Sequence, residues 1–593
     1  MTNQQLPLKM LCSSKFGRYP KISREQVFNL FESDGWMVNY AGYEAVKTIL
    51  DGGVGRGIFF SSRNNSLYVV MSQNVYEVVF EYGNIIPTQI GSIETLTGDV
   101  FIDENIQSQV AICDKQDLYI YDYGSKVFIK LNTGFSVGYV SFQDNRFITA
   151  VNGQPQWRLS DNTLLSITTA SVSYGGADYH VGDILTLLNG KNNAQVKVDT
   201  IDSPSTGVIT GISIVAGKNG SGYNDAIYDV SGGNGTGAKI AVTVDKVGFT
   251  GTVAQTGTFQ TKPDNVVACV SMPSKNGQLL IMGSTVTEIW SDLGLKKFPY
   301  QRSSGYNIDY GCINPSTIAT NDDFVVWLGS NEHSGLAIMY CSGGEVHQIS
   351  TDGINYRLEN LHNPKNSYAF IFRQDGHIFY QLTFPDPLDN VTYTYDFNTQ
   401  KFFTLCDSRH NCHIAKYVSF FNNDYYFISF NDGKLYQIDT NFTTYDGDEI
   451  PRIIVTSPSC LPDRKPFVIN SITFPIEQGS DQRISSPITV QENIVDNQSN
   501  YMPDDANEYI ALKDADGNIT YNILPSMRVD LCTSSDGAAT FGNPVGIYLN
   551  TIGKRRNIFK YYNLGRYNEV TFQFRFWGLG RFVLTDGVAE VAQ

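Results

Sequence analysis

The stretch from Gly57 to Ile90, GIFFSSRNNSLYVVMSQNVYEVVFEYGNIIPTQI, holds four short apolar runs divided by turn-forming residues. The runs are Gly57–Phe60, Leu67–Met71, Val75–Phe80 and Thr88–Ile90, and Arg63-Asn64-Asn65 breaks the first from the second. Val, Ile, Phe and Tyr dominate them, which favours strands over helices. The same order recurs at Val100–Ile102, Gln109–Cys113, Leu118–Tyr121 and Val127–Leu131. Further copies lie at Val266–Val270 with Leu279–Met282 and Val286–Trp290, at Tyr368–Leu405, and in shorter form at Tyr417–Asp439. Four short strands in units of about forty residues are the signature of a β-propeller, whose sheets bury both faces by stacking around an axis. The clusters between Gly55 and Thr440 predict about six blades. The fold class expected is therefore all-β, without a WD or kelch signature.

Two segments break this rhythm. Residues 167–247 are rich in Gly, Ser, Thr and Asn, and contain a diverged duplication. Val172–Tyr179 is echoed by Ile214–Tyr223, and each copy is followed by a strand pair. This reads as a small inserted Gly-rich β domain, placed in a loop where insertions are tolerated. After Glu449 the strands lengthen, at Phe467–Ile476, Ser526–Thr533 and Tyr567–Trp577 among others, as in a β-sandwich. The polar run Gln478–Asn507 is expected to be a long loop. The division expected is an N-terminal arm (1–54), a propeller (55–166 and 248–449), the insert (167–247) and a C-terminal sandwich platform (450–593). Helix signals are few. Ser23 with Gln26 resembles a capping box and predicts a short helix over Ser23–Phe31, and Ile354–Leu361 predicts another.

The net charge of −16 argues against gripping a duplex along its phosphates. Charged residues make up only 17% of the chain, which suits a surface covered by partners. No stretch is long and apolar enough to span a membrane. Basic residues concentrate in two places, Lys9, Lys15, Arg18, Lys21 and Arg24 in the arm, and Lys554, Arg555, Arg556, Lys560 and Arg566 near the C-terminus. The second group interleaves with Tyr561 and Tyr562, a pattern that serves nucleic acid or a protein interface. The acidity of the rest favours the interface, so all ten are candidate adaptor or subunit contacts.

Nine scattered cysteines without a CxxC point to free thiols in a reducing compartment. Cys406, His410, Cys412 and His413 fit no common zinc module and read as an interstrand loop. There is no Walker loop, dinucleotide fingerprint, HExxH or GxSxG, so no catalytic, cofactor-binding or metal-binding residue is assigned. Ser534–Phe541 is a partial Asp-box of the sialidase type, with Ala538 where the box has Gly, and reads as a hairpin turn.

Taken in order, SDGWMVNYAGY (Ser33–Tyr43), RGIFFSSRNNSLYVVMSQNVY (Arg56–Tyr76), LIMGSTVTEIWSDLG (Leu280–Gly294), Ser304–Leu328, Ile349–Leu361 and Gly553–Leu584 carry a likeness. They resemble the packaged-DNA stabilisation, or tail-hub (nozzle), family of short-tailed phages of the Salmonella podophage type. That resemblance implies a non-enzymatic virion tail protein, assembled in the host bacterial cytoplasm. It implies a homo-hexamer beneath the portal and its head-to-tail adaptor ring, extending the DNA channel and retaining the genome. It also implies a tail needle, with fibres or tailspikes, as partners, and genomic DNA passing through the lumen without sequence-specific binding. The competing reading is a glycan-binding or glycan-cleaving propeller that recognises a receptor.

Overall fold

The computed structural model describes residues 3–8, 10, 25–161, 166–190, 193–220, 222–244, 248–249, 255–272, 278–295, 298–478, 511–513, 519–521, 528–548, 556–578 and 582–592. Among these, seven antiparallel sheets follow one another along the chain. Blade 1 spans Gly55–Ser92, blade 2 Phe101–Leu131, and blade 3 Val137–Leu159 with Thr256–Thr258 as its outer strand. Blade 4 spans Ala268–Ile308, blade 5 Gly311–Gln348 and blade 6 Tyr368–Leu405. Blade 7 comprises three strands from Ala415 to Asp439 and a fourth, Gly42–Thr48, from the start of the chain.

The strands are apolar on both faces because each sheet is buried on both sides. Tyr68 and Val70 face blade 2, where they meet Val110 and Ile112. Leu67 and Val69 alternate with them and face blade 7, against Tyr426 and Ile428. Ala111 and Ile120 join Val140 and Phe147 between blades 2 and 3. Trp157 and Trp290 meet edge to face at 5.4 Å between blades 3 and 4. Leu280 and Trp327 join blades 4 and 5. Val326 and Tyr380 join blades 5 and 6, with Leu358 of the helix Asp352–Glu359 beside them. Phe403 and Phe427 lie in the largest core, which joins blades 6 and 7. The sequence of contacts closes on itself, so the all-β propeller is a complete ring.

The blades number seven, where the strand clusters gave about six. The difference has a physical source. The last blade is completed by pairing Gly42–Thr48 with Lys434–Asp439, in a register that sets Tyr43 against Ile438. A sheet closed by a strand nearly four hundred residues away shows no local four-strand cluster. Tyr43 stacks on Tyr445 at 4.6 Å and meets Tyr436 edge-on at 5.5 Å, which fixes the closing strand.

The helix expected over Ser23–Phe31 is replaced by strands. Gln26–Phe28 inserts between the outer strand of blade 6 and Arg452–Val455, and Leu30–Ser33 pairs with Trp36–Asn39. Asn29 between them has a φ of 56°, and its side-chain amide donates to the carbonyls of Cys406 and Pro451 at 2.9 and 2.7 Å. These long-range bonds outweigh the weak local helix preference. Ser23 itself, like the polar run 479–510, lies outside the described residues. The second short helix forms at Asp352–Glu359, capped by the Thr351 hydroxyl.

The sandwich joins the two ends of the chain. One sheet orders Asn3–Leu8, Gly587–Ala592, Phe467–Gln478, Phe582–Leu584, Trp36–Asn39 and Leu30–Ser33, and Arg556–Tyr567 pairs along the other side of Phe467–Gln478. The second sheet continues the edge of blade 6 through Gln26–Phe28, Arg452–Val455, Thr571–Trp577, Arg528–Ser534 and Val545–Tyr548. Phe474 bridges the layers, stacked on Phe559 at 5.2 Å and edge-on to Phe574 at 5.1 Å. The platform is therefore fused to blade 6 by a continuous hydrogen-bonded sheet.

The insert lies between the third and fourth strands of blade 3 and has its own core. Its strand order, Ile167–Tyr174, Lys239–Val244, Ala226–Ser231, Ile184–Leu187, Gln195–Ile201, Ile209–Ile214, places the two repeats about a pseudo-two-fold axis. The duplicated tyrosines are exchanged across it. The Tyr179 hydroxyl accepts from Ala238 N of the second repeat, and Tyr223 accepts from Ala194 N of the first, at 3.4 and 2.8 Å. Asp161 N donates to Gly248 O at 2.7 Å, so the two ends of the insertion leave blade 3 side by side. Removing the insert and joining its flanks is expected to shift the melting temperature of the remainder by no more than a few degrees. Loss of the cooperative propeller transition in calorimetry would show instead that blade 3 depends on it.

His413 supplies a pH dependence. It is buried between blades 6 and 7, with Tyr43 and Tyr445 edge-on at 5.3 Å each. Its Nδ1 accepts from Gln381 Nε2 and Ala415 N, both at 3.2 Å. Burial pulls the imidazole down to about 3 from its ordinary 6.5. Below pH 6.5 the unfolded chain takes up a proton that the folded one refuses, so stability falls as pH drops. The expected loss is about 2 kcal/mol between pH 7.5 and 5. His413→Gln should flatten that part of the urea-midpoint profile.

Candidate functional site: the propeller channel and the exposed sheet edge

The centre of a propeller is where its inner strands could leave a channel. Here one end of it is filled. Asp99, in the connection entering blade 2, accepts from Lys115 of blade 2 at 3.1 Å and from Lys416 of blade 7 at 2.8 Å. The oxygen that takes Lys115, Oδ2, also receives the Ser316 hydroxyl of blade 5 at 2.5 Å, while Lys416 is on Oδ1. Blades 2, 5 and 7 are not neighbours in the ring, so bonds among them must cross the axis. Lys115 lies over the Phe101 ring at 5.5 Å, and Lys416 over Tyr368 and Tyr417 at 5.9 and 5.7 Å. Burial alone would push the Asp99 carboxyl up, but Lys416 and Lys115 hold it well below the usual carboxylate range.

This arrangement is a plug. A glycosidase needs two opposed carboxyl groups flanking room for a sugar; this end of the channel offers one carboxylate clamped by two ammonium groups. Further along the axis, Asp103 accepts from Glu104 N and Phe142 N at 2.8 and 2.6 Å and stitches the inner strands of blades 2 and 3 together. The signal for the plug was invisible in the sequence, because Asp99, Lys115, Ser316 and Lys416 share no motif or spacing.

The sequence-predicted contact residues divide. Lys9, Lys15, Arg18, Lys21, Arg24, Lys554 and Arg555 lie outside the described residues. Arg556 begins the strand Arg556–Tyr567, and Lys560 and Arg566 are exposed along it. Alternation turns Phe559 and Tyr561 into the sandwich and leaves Ile558, Lys560 and Tyr562 outside. Lys560 lies over the Tyr562 ring at 5.2 Å. Among the described residues this strand pairs on one side only, so it presents an open sheet edge with an apolar and basic face.

The remaining sequence features are structural. Cys406 Sγ lies 3.8 Å from His410 Nδ1, while His413 turns away into its aromatic box. Among the described residues no three metal-ligating side chains converge. The Asp-box residues form the turn between Arg528–Ser534 and Val545–Tyr548. Asp536 accepts from Thr540 N and Oγ1 at 2.9 and 2.6 Å, and Phe541 packs against Ile453 and Val455. His377 joins the arm to blade 6, with Asp396 at 2.9 Å on one ring nitrogen and Ser33 at 3.1 Å on the other.

Residues 244–443 match the family model described as Bacteriophage P22 Gp10, beta-propeller. This part of the chain is similar to a phage stabilisation propeller. The match covers the end of the insert, the outer strand of blade 3, blades 4 to 6 and the three strands of blade 7 from Ala415 to Asp439, without its closing strand Gly42–Thr48. It supports a phage virion structural protein and points away from an enzyme. Among solved structures, the computationally designed Ika8 protein is similar at 10% identity, over 67% of this chain and 99% of that one, with a TM-score of 0.32. The Neurospora crassa Pan2 WD40 domain is similar at 8% identity, over 65% and 89%, with a TM-score of 0.30. The N-terminal domain of Nup159 is similar at 9% identity, over 70% and 97%, with a TM-score of 0.32. No curated protein matches the chain.

Proposed function

We propose that this chain is the tail hub, or nozzle, subunit of a short-tailed phage virion. Six copies form a ring beneath the portal and its adaptor, extend the DNA channel, retain the packaged genome and anchor a tail needle with fibres or tailspikes. The observation that carries the reading is the match of the propeller to the phage stabilisation model, on a propeller whose own channel is plugged. A duplex then passes through the ring between subunits rather than through any one propeller. A net charge of −16 favours passage, since an acidic wall repels phosphate and lets DNA slide.

Exposed apolar surface supports assembly. The third strand of blade 1, the turn after it and the outer strands of blades 1 and 2 leave Phe80, Tyr82, Ile86, Val127 and Ile129 open, and Asn84–Ser92 carries no charge. Patches of this kind mark contact sites. The basic arm, with Lys9, Lys15, Arg18, Lys21 and Arg24, and the basic edge, with Lys554, Arg555, Arg556, Lys560 and Arg566, are the contacts proposed for the adaptor and neighbouring subunits.

Mass photometry of the purified chain with its adaptor, and cryo-electron microscopy of virions, test this reading. The expected result is a closed ring at the tail vertex. A stable monomer absent from particles overturns it. Turnover of host polysaccharide by the isolated chain would replace it with the glycan-cleaving alternative.

A further inference from the structure

His377 ties the arm to blade 6, and its bonds run in the order of a nucleophilic triad. Its Nδ1 meets Asp396 Oδ2 at 2.9 Å, and its Nε2 meets Ser33 Oγ at 3.1 Å. An ionised carboxylate only accepts, so Nδ1 carries the proton and Nε2 keeps its lone pair. The Ser33 hydroxyl then donates to Nε2, which is the state from which a serine attacks.

Strand register explains why the three groups meet. Asp396 pairs with Phe379, and Phe379 lies two residues after His377. The carboxylate and the imidazole therefore leave the same face of blade 6. Phe31 and Ser33 share a face of their own strand, Leu30–Ser33. Phe31 meets Phe379 at 4.9 Å and the His377 ring at 5.1 Å, so that face looks onto blade 6.

Each member is held in place. Asp396 is 1% exposed and also accepts from Asn398 N at 2.9 Å and Thr399 Oγ1 at 2.7 Å. Phe379 lies nearly parallel to the buried His377 ring at 5.9 Å. Ser33 ends its strand at the hairpin turn Asp34-Gly35, where φ is 50° and 79°. It is only half-buried, so the nucleophile is the member that solvent can reach. Asp34 N, the amide that follows it, has no acceptor among the described residues. The amide after a nucleophile is a position that supplies an oxyanion donor.

We propose that Ser33, His377 and Asp396 hydrolyse short-chain carboxylic esters, an activity independent of the tail-hub reading. Ser33 Oγ bonds to the carbonyl carbon while its proton passes to His377 Nε2. The bond from that carbon to the alcohol oxygen breaks, and the alcohol leaves with the proton from Nε2. Water, activated by the same nitrogen, then breaks the acyl bond, restores Ser33 and frees the carboxylic acid. Asp396 is a positioning residue that fixes the tautomer of His377. A nucleophile at the end of a hairpin strand contacts the acyl group and leaves the alcohol portion outside, so the alcohol can belong to a large carrier.

The test treats the purified full chain with a fluorophosphonate, which loses fluoride to an activated serine, and with p-nitrophenyl acetate. The expected result is a single label, mapped to Ser33 by mass spectrometry, and ester hydrolysis that Ser33→Ala abolishes. That variant should melt within a few degrees of the wild type, since it loses one partly exposed hydrogen bond. Asp396→Asn should lower kcat by about a hundredfold or more at an unchanged KM, because it removes the tautomer and touches no substrate. A kcat unchanged in Asp396→Asn refutes the positioning role. An unlabelled Ser33, or hydrolysis equal in Ser33→Ala, overturns the proposal. Should Ser33→Ala unfold, the wild type decides alone: a label on Ser33 upholds the proposal, and a label elsewhere or none overturns it.

Discussion

Gly433→Ala is expected to destabilise the propeller by about 3 kcal/mol or more, because closure of the ring leaves no room for a side chain there. A Cβ built on Gly433 would lie 1.7 Å from the Leu50 carbonyl oxygen. That oxygen belongs to backbone that cannot swing aside, since Ile49 N and Leu50 N both donate to Gly433 O, at 2.9 and 3.1 Å. Relief requires the closing strand Gly42–Thr48 to shift against Lys434–Asp439, and the stack of Tyr43 on Tyr445 to break with it. Blade 7 would then expose an unpaired edge and part of its core. Urea denaturation should show the loss as a lowered midpoint. Gly138→Ala is the control, because its Cβ would meet nothing nearer than 3.6 Å. Equal midpoints for the two variants would mean that the first blade and the seventh hold without the closing strand.

Asp99→Asn is expected to cost about 3–5 kcal/mol, the range for removing one partner of a buried ion pair. Lys416 is 10% exposed at its side chain and would face the amide without a counter-charge. Lys115 is a third exposed and can turn to water, so the loss should come mainly from Lys416. The pH signature has a definite sign. A carboxyl held low in the fold adds stability above its unfolded value near 3.8, and that stability is lost as pH falls through and below it. The wild type should therefore lose more stability than Asp99→Asn between pH 5 and 3. Lys416→Met in the Asp99→Asn background should restore part of the loss, since removing both charges removes the orphan. A wild-type midpoint for Asp99→Asn would show that the plug is solvated and contributes nothing.

The two effects act on different features of the propeller. Closure completes blade 7 and so fixes the shape of the propeller. The plug ties blades 2, 5 and 7 together at one end of the axis. Measuring ring formation alongside stability for both variants separates the two.

Much of the fold was legible because its signals are local. In blade 1, the alternation of Leu67 and Val69 with Tyr68 and Val70 falls within one strand, and the turns that divide it from its neighbours are adjacent in sequence. The duplication in residues 167–247 is local in the same way, as Tyr179 and Tyr223 end copies of one short pattern. The helix expected over Ser23–Phe31 gives way to strand because Gln26–Phe28 owes its conformation to Thr404 and Ile454, while its own residues carry a helix-cap pattern. The basic segment near the C-terminus was read as composition, whereas the strand Arg556–Tyr567 shows which of its residues face outward.

By itself, the sequence determined the all-β class and the four-strand rhythm of the propeller, since each depends on residues within a few tens of positions. Tertiary structure alone decided the rest. It set the seventh blade closed by Gly42–Thr48, the plug that brings Asp99, Lys115, Ser316 and Lys416 to one point, and the platform built from both chain ends. The reason is loop closure. A pairing across hundreds of residues is made by the geometry of the finished ring, and its entropic cost grows so slowly with separation that no local pattern is needed to announce it.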